Sequence, residues 1–129
     1  MYQTSGYSEH IYEIGVIDFF NARHSVGDEP VHSHSWRVEV RVRRLRYLGE
    51  QSLISIDQVK DTLRRIFARY EDQVLNNVPP FTFQEPTAEN LVTYLFEELD
   101  KGFRGIDATL YALTVWESPT NYVTYKLST

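Results

Sequence analysis

An alternating stretch that begins at His32 constrains this chain more than any other feature of its sequence. Every second residue is a histidine or is apolar, in the order His32, His34, Trp36, Val38, Val40 and Val42. The residues between them are polar: Ser33, Ser35, Arg37, Glu39, Arg41 and Arg43. Because successive side chains of a strand point to opposite faces, this period predicts a strand with one buried face. Two imidazoles would then stand side by side at the end of an apolar face, where unpaired histidines are costly to bury.

A third histidine, His24, ends the preceding apolar run from Ile14 to Ala22, and only seven residues separate it from His32. A hairpin-like return over this short loop would bring three imidazoles to one point. Three neutral imidazoles on a rigid sheet are the ligand set of a catalytic zinc ion, whereas a structural zinc site normally has a fourth protein ligand, usually Cys. The chain has no Cys, so we predict a zinc site at His24, His32 and His34. The alternative is that the His32-Ser33-His34 pattern arises by chance.

Composition restricts the class of protein. A chain of 129 residues with 42% hydrophobic residues predicts one domain with its own core. The chain lacks Cys and any apolar run near eighteen residues, and residues 1–10 show no signal-peptide pattern, so we expect a soluble, cytoplasmic protein without a membrane span. The net charge of −5 argues against nucleic-acid binding. The basic cluster of Arg41, Arg43, Arg44 and Arg46 is interpreted as a solvated strand face.

The rest of the chain predicts two helices followed by two further strands. Ser55 and Gln58 form a capping box before the first helix, and Pro86-Thr87 begins the second. A β pattern then returns from Thr109 to Glu117 and from Tyr122 to Leu127. The order ββααββ predicts an α+β fold, with a four-stranded antiparallel sheet and both helices on one face.

The strands are long and the sheet has free edges, so we expect an oligomer larger than a dimer. We also expect the sheet to leave an inner face uncovered, with four residues on it: Val38, Val40, Leu113 and Val115.

Five short fragments resemble one known family, the 6-pyruvoyl- and 6-carboxytetrahydropterin synthases. In chain order, the family pattern F-x-A-A-H corresponds to Phe20-Asn21-Ala22-Arg23-His24, and H-G-H-x-aromatic corresponds to His32-Ser33-His34-Ser35-Trp36. The pattern L-N corresponds to Leu75-Asn76, P-T-x-E-N to Pro86-Thr87-Ala88-Glu89-Asn90, and V-x-E-T to Val115-Trp116-Glu117-Ser118. Each fragment is short, but the five together, in the right order, cover nearly the whole chain.

The resemblance implies the tunnelling fold, in which the sheets of several subunits join into a barrel, typically of a hexamer with sites between subunits. It implies zinc at His24, His32 and His34, and a pterin held through its amino-pyrimidine edge by Glu117, with Thr87 as a further substrate-binding position. A carboxylate can accept two parallel N–H bonds from such a guanidine-like edge. The alternative for Glu117 is an ordinary exposed charge at a strand end.

The departures from the family pattern concern proton transfer. The family has a catalytic Cys four residues before its H-x-H pair, where this chain has Asp28 in a shorter loop. The family's Asp-His pair before L-N falls on Glu71 and Asp72, so that its histidine is a carboxylate here. The candidates for proton transfer are therefore Asp28, Glu29, Glu71 and Asp72.

Three functions are compatible with this pattern. The first is a zinc enzyme acting on a pterin such as dihydroneopterin triphosphate, in which a carboxylate replaces the thiolate base. The second is a relative that binds a pterin, or another ring bearing a guanidine-like edge, without turnover. The third function, which does not depend on the family resemblance, is that of a generic zinc hydrolase with Glu29 as its base. Because an unshifted carboxylate is a far weaker base than a thiolate, we expect turnover of dihydroneopterin triphosphate to be marginal at most.

Overall fold

Two long antiparallel strands carry the three histidines. The computed structural model describes residues 11–45, 55–103 and 109–128. Strand β1 spans Ile11–His24 and strand β2 spans His32–Leu45. Their register pairs His24 with His32 and Phe20 with Trp36. Residues paired in this way project from the same face, so the histidines and the apolar side chains of both strands share one side of the hairpin.

The remaining strands complete one antiparallel sheet. Strand β3 spans Thr109–Ser118 and strand β4 spans Asn121–Lys126, and the strand order in the sheet is β1-β2-β3-β4. The register of β3 against β4 shifts between Trp116 and Ser118, so the regular alternation of faces breaks close to Glu117.

Two helices connect the hairpins, and each begins at a predicted cap. Helix α1 spans Ile56–Phe67, where the Gln58 amide donates to Ser55 Oγ at 3.0 Å and the Ser55 amide donates to Gln58 Oε1 at 2.8 Å. A short 3₁₀ turn, Leu75–Asn77, precedes helix α2, which spans Ala88–Lys101. These elements confirm the predicted ββααββ order and the α+β class.

The core lies between the two helices and one face of the sheet. Its sheet side consists of the alternating apolar residues, including Phe20, Trp36, Val38 and Val40, which are all 0% exposed. Its helix side consists of the apolar residues by which the two helices face the sheet, and these are buried: Val59, Leu63, Ile66, Phe67, Leu91, Val92, Leu95, Phe96 and Leu99.

The expected composition of the uncovered face was wrong. Val38, Val40, Leu113 and Val115 are each 0% exposed because the helices pack on them. The alternating side chains of the other set form the open face of the sheet. They include Ile17, Phe19 and Tyr122, which are 46%, 54% and 58% exposed. The open face is therefore a mixture of aromatic, aliphatic and charged residues.

The sequence also predicts a turn from Tyr47 to Gln51, an extended segment over Leu53, Ile54 and Ile56, and a surface position for His10, and all of these except Ile56 lie outside the described residues. Ile56, which was expected to belong to that extended segment, is the first residue of α1. Within the described ranges, the longest helices are too short or too polar to cross a membrane.

We predict that the purified protein sediments as an assembly larger than a dimer. Among the described residues β4 pairs with a strand on one edge alone, the outer edge of β1 is bonded only near its end by residues 72–74, and exposed Ile17 and Phe19 lie on the open face. Sedimentation velocity at several protein concentrations measures this directly. A single monomeric species throughout would contradict the prediction.

Candidate metal and ligand site

The three predicted metal ligands converge at the end of the β1–β2 hairpin. One nitrogen of each of His24, His32 and His34 lies within 4.8 Å of the corresponding nitrogens of the other two. The ring centroids are 4.6 Å apart for His24 and His32, 5.0 Å for His24 and His34, and 4.7 Å for His32 and His34. Cross-strand pairing brings His24 beside His32, and the two-residue period of β2 brings His34 beside them both.

Backbone carbonyls orient two of the imidazoles. His24 Nδ1 donates to the Pro86 carbonyl oxygen at 2.8 Å, and His32 Nδ1 donates to the Pro30 carbonyl oxygen at 3.0 Å. Because a carbonyl oxygen can only accept, each Nδ1 carries the proton and each Nε2 of the neutral ring has a lone pair. Such backbone partners are the usual means by which proteins fix the tautomer of a metal-ligating histidine.

The Nε2 atoms of these two rings face each other. His24 Nε2 and His32 Nε2 are 3.1 Å apart, so two neutral rings would oppose their lone pairs unless a cation or a proton lay between them. Ligand nitrogens around a tetrahedral zinc ion are about 3.3 Å apart, from Zn–N bonds of roughly 2.0–2.1 Å. His34 Nε2 is buried and has no hydrogen-bond partner among the described residues. The donor set therefore fits a metal ion such as zinc.

The environment favours the neutral form of the third ligand. Burial lowers the pKa of His34 below its ordinary value, and the neighbouring His24 and His32 act in the same direction. The carboxylates of Glu117 and Glu29 oppose this shift without reversing it. Neutral imidazole is the form that binds metal, so His34 is ready for ligation at neutral pH.

Residues distant in sequence hold the loop that follows His24. The Asn76 side chain accepts from the Ser25 amide at 2.9 Å and donates to the Ser25 carbonyl oxygen at 2.9 Å. The Gly27 amide donates to a Glu85 carboxylate oxygen at 2.9 Å, at a backbone φ of +60° that favours glycine. These contacts explain why the L-N fragment and the residue before the P-T fragment lie beside the histidine loop.

The P-T fragment itself has a structural role. Pro86 supplies the carbonyl that orients His24, and the Thr87 hydroxyl accepts from the Asn90 amide at 3.1 Å as the N-cap of α2. This hydrogen bond uses one acceptor position of the Thr87 hydroxyl. Sequence reasoning missed the roles of Pro86, Asn76 and Glu85, although two of the three belong to the fragments that carry the family resemblance.

Glu117 lies against the histidines. Its Oε2 is 3.4 Å from His24 Nε2 and 3.7 Å from His34 Nε2. Glu117 and His34 also line one cleft of about 520 Å³ that opens on the uncovered side of the sheet. A carboxylate acceptor and a potential metal centre therefore share a single ligand-sized cleft.

Of the four candidate proton-transfer residues, Glu29 belongs to the loop between His24 and His32 and is exposed. Its carboxylate raises the pKa of His34, as the smallest of the influences on that ring, and its carbonyl oxygen accepts a hydrogen bond from Ser25 Oγ at 2.6 Å. Asp28 is exposed, and its side chain has no hydrogen bond or ion pair within the described part of the chain.

Glu71 and Asp72 lie at the outer edge of β1. The Glu71 carboxylate accepts from the backbone and side-chain amides of Asn21, each at 3.3 Å. Asp72 has a positive φ of 61°, its amide donates to the Asn21 carbonyl oxygen at 2.7 Å, and it lines a separate cleft of about 260 Å³ with Arg23 and Ser33. The described chain does not bring these two carboxylates to the histidine cluster.

Comparison with known proteins identifies relatives of this fold and of this sequence. The chain is similar to 6-pyruvoyl tetrahydropterin synthase from Caenorhabditis elegans, with a TM-score of 0.80 and 23% identity over 92% of this chain and 97% of that one. It is also similar to the Plasmodium vivax 6-pyruvoyltetrahydropterin synthase carrying a substitution of a catalytic residue, with a TM-score of 0.71 and 16% identity over 90% and 97% of the two chains. An uncharacterised protein from Wolinella succinogenes has a TM-score of 0.74 at 13% identity over 91% and 98%.

These likenesses establish the tunnelling fold. No curated protein sequence matches the chain. The sequence model of the family described as 6-pyruvoyl tetrahydropterin synthase matches residues 13–128, nearly the whole length. The chain belongs to the 6-pyruvoyl tetrahydropterin synthase family.

Proposed function

We propose that this protein is a zinc-dependent pterin-binding member of its family that acts on a pterin such as dihydroneopterin triphosphate. The observation that carries the proposal is the position of Glu117, whose Oε2 lies 3.4 Å from His24 Nε2. A carboxylate that can accept hydrogen bonds from the edge of a pterin ring therefore lies next to a site that can hold a metal ion.

Glu117 supplies the recognition of the ring. Its two carboxylate oxygens can accept parallel N–H bonds from the amino group and the adjacent ring nitrogen of a pterin, as they would from an arginine. The cleft volume of about 520 Å³ lies within the range of small-molecule sites. The ring edge and the metal centre then determine where the ligand side chain lies.

The histidines supply the metal. His24, His32 and His34 would hold a zinc ion, which when bound acts as a Lewis acid toward an oxygen of the pterin side chain. The carbonyls of Pro86 and Pro30 fix the orientation of the two rings and the tautomer of their neutral forms, and Asn76 restrains the loop between them. We assign no further role in proton transfer to these residues.

Glu29 is our candidate for the proton-transfer group. It belongs to the loop between His24 and His32, where its charge acts on the pKa of His34, and its carboxylate oxygens would accept a proton from the ligand side chain. The Plasmodium vivax relatives support this assignment, because structures of that enzyme replace a glutamate, described as a catalytic residue, by alanine or by cysteine. A glutamate can therefore have a catalytic role in this fold.

A pterin-binding protein without turnover is the alternative. It is favoured by the placement of Glu71 and Asp72, which occupy the positions of the family's Asp-His pair yet lie at the β1 edge, with Glu71 engaged by Asn21. The generic zinc hydrolase is not favoured, since the family assignment covers nearly the whole chain. A hexameric barrel with sites between subunits, and a cytoplasmic location, remain predictions.

We predict that replacing any one of His24, His32 or His34 by Ala removes stoichiometric zinc, because two imidazoles make a weak site. Metal analysis of the purified variants by mass spectrometry gives the zinc content per chain. His10→Ala is the matched control and should retain the wild-type content. Unchanged zinc in all three triad variants would refute the site.

We predict that Asn76→Ala lowers zinc affinity by roughly 10- to 100-fold, the usual effect of losing a group that orients metal ligands. The change removes both hydrogen bonds to Ser25 without touching a histidine. Competition with a chromophoric chelator measures the affinity. Asn77→Ala, at the exposed neighbouring position, should leave the zinc affinity at the wild-type value, and equal losses in both variants would contradict the assigned role.

We predict that Glu117→Gln and Glu29→Gln separate binding from chemistry. Glu117→Gln should weaken pterin binding roughly tenfold or more, because the amide loses the charge and one of the two acceptors. Glu29→Gln should retain binding and abolish whatever turnover the wild type shows, whereas Asp28→Asn should change neither. Calorimetric titration and a product assay with dihydroneopterin triphosphate give the two readouts. Tight binding with no product from the wild type would select the non-catalytic alternative.

A further inference from the structure

The Glu117 carboxylate lies at the spacing of a metal ligand from two of the three histidines. Its Oε2 is 3.4 Å from His24 Nε2 and 3.7 Å from His34 Nε2. A tetrahedral zinc ion with bonds of roughly 2.0–2.2 Å to nitrogen and oxygen keeps its ligand atoms about 3.3–3.6 Å apart. Both contacts of Glu117 are therefore close to the separation of atoms that share one ion.

The position of Glu117 in β3 directs its side chain toward the histidines. Glu117 follows Val115 by two residues, and Val115 is buried in the core between the sheet and the helices. The contacts with His24 and His34 place the Glu117 carboxylate on this same side of the sheet. The side chain is 35% exposed, so it also faces the cleft and has room to rotate.

The described chain offers this carboxylate no partner other than the histidines. Within the described ranges, Glu117 accepts no hydrogen bond from an amide or a hydroxyl and makes no ion pair with a lysine or an arginine. Asp28 and Glu29, in the loop between His24 and His32, are exposed and make no such contact with the histidines. A divalent ion held by three neutral imidazoles keeps its full charge and attracts the nearest carboxylate.

We propose that Glu117 is the fourth ligand of the metal ion in the ligand-free protein and leaves the ion when the ring of the ligand binds. The two roles compete for the same atoms, because parallel N–H bonds from a ring edge occupy both carboxylate oxygens. The ligand-free site is then closed, and its fourth position opens only after the ring has engaged Glu117. The release by the ring rests on the proposed function, whereas the ligation does not.

Zinc affinity tests the ligation without any pterin. In competition with a chromophoric chelator, Glu117→Gln should bind zinc roughly tenfold or more weakly than the wild type, because a neutral amide is a poorer zinc ligand than a carboxylate. Asp28→Asn is the matched control, since it removes one carboxylate charge from an exposed position of the loop that follows His24. It should keep the wild-type affinity. Equal affinities in Glu117→Gln and the wild type overturn the proposal.

The cobalt-loaded full-length protein distinguishes direct ligation from an effect of charge alone, because the visible spectrum of Co²⁺ depends on which atoms bind it. Glu117→Gln should change the spectrum of the ligand-free protein, and Asp28→Asn should not. An unchanged spectrum in Glu117→Gln overturns the ligation.

A pterin without a side chain tests the release, because it has no side-chain oxygen with which to reach the ion. Its binding, followed by calorimetry, should change the cobalt spectrum of the wild type and leave that of Glu117→Gln unaltered. Binding to the wild type with no spectral change overturns the release. If Glu117→Gln does not fold, this wild-type titration decides. A failure of the pterin to bind refutes the proposed function instead, and the zinc affinities then decide the ligation.

Discussion

The 3.1 Å separation between His24 Nε2 and His32 Nε2 is the constraint on which the site depends. Neutral imidazoles do not hold two lone pairs at this distance without a cation or a proton between them. The protein maintains the arrangement with the carbonyls of Pro86 and Pro30, one from the start of α2 and one from the histidine loop itself. Trp36 packs edge-on against His24 at 5.0 Å from below. The candidate metal site therefore depends on the sheet, the loop and the start of a helix together.

Charged residues of both signs line the cleft, namely Glu117 and Arg37. Glu117 and Glu29 raise the negative potential at the histidines, which suits a divalent cation. Burial keeps the pKa of His34 low despite these carboxylates, so the ring stays available as a ligand. Arg37 and Trp116 line the same cleft, and the Arg37 guanidinium lies over the Trp116 ring.

The family fragments have two kinds of role in this chain. Some residues contact the site, as the three histidines and Glu117 do. Others hold the site in shape, as Asn76 does by bonding Ser25 and as Thr87 does by capping α2. The candidate proton-transfer carboxylates also lie in different places, because Glu29 belongs to the loop between His24 and His32 while Glu71 accepts from Asn21 at the sheet edge. A changed residue type thus has different consequences according to where the backbone places it.

The sequence by itself determined the element order, the helix caps and the convergence of the histidines. These follow from local rules: the two-residue period of β2, the side-chain caps at Ser55 and Thr87, and a short loop after His24. Only the tertiary structure decided which face of the sheet stays open, that Pro86 orients His24, and that the Arg37 guanidinium lies over the Trp116 ring. Periodicity describes the faces of one element at a time. Contacts between residues 50 or more positions apart depend on how the helices pack on the sheet, which no local pattern specifies.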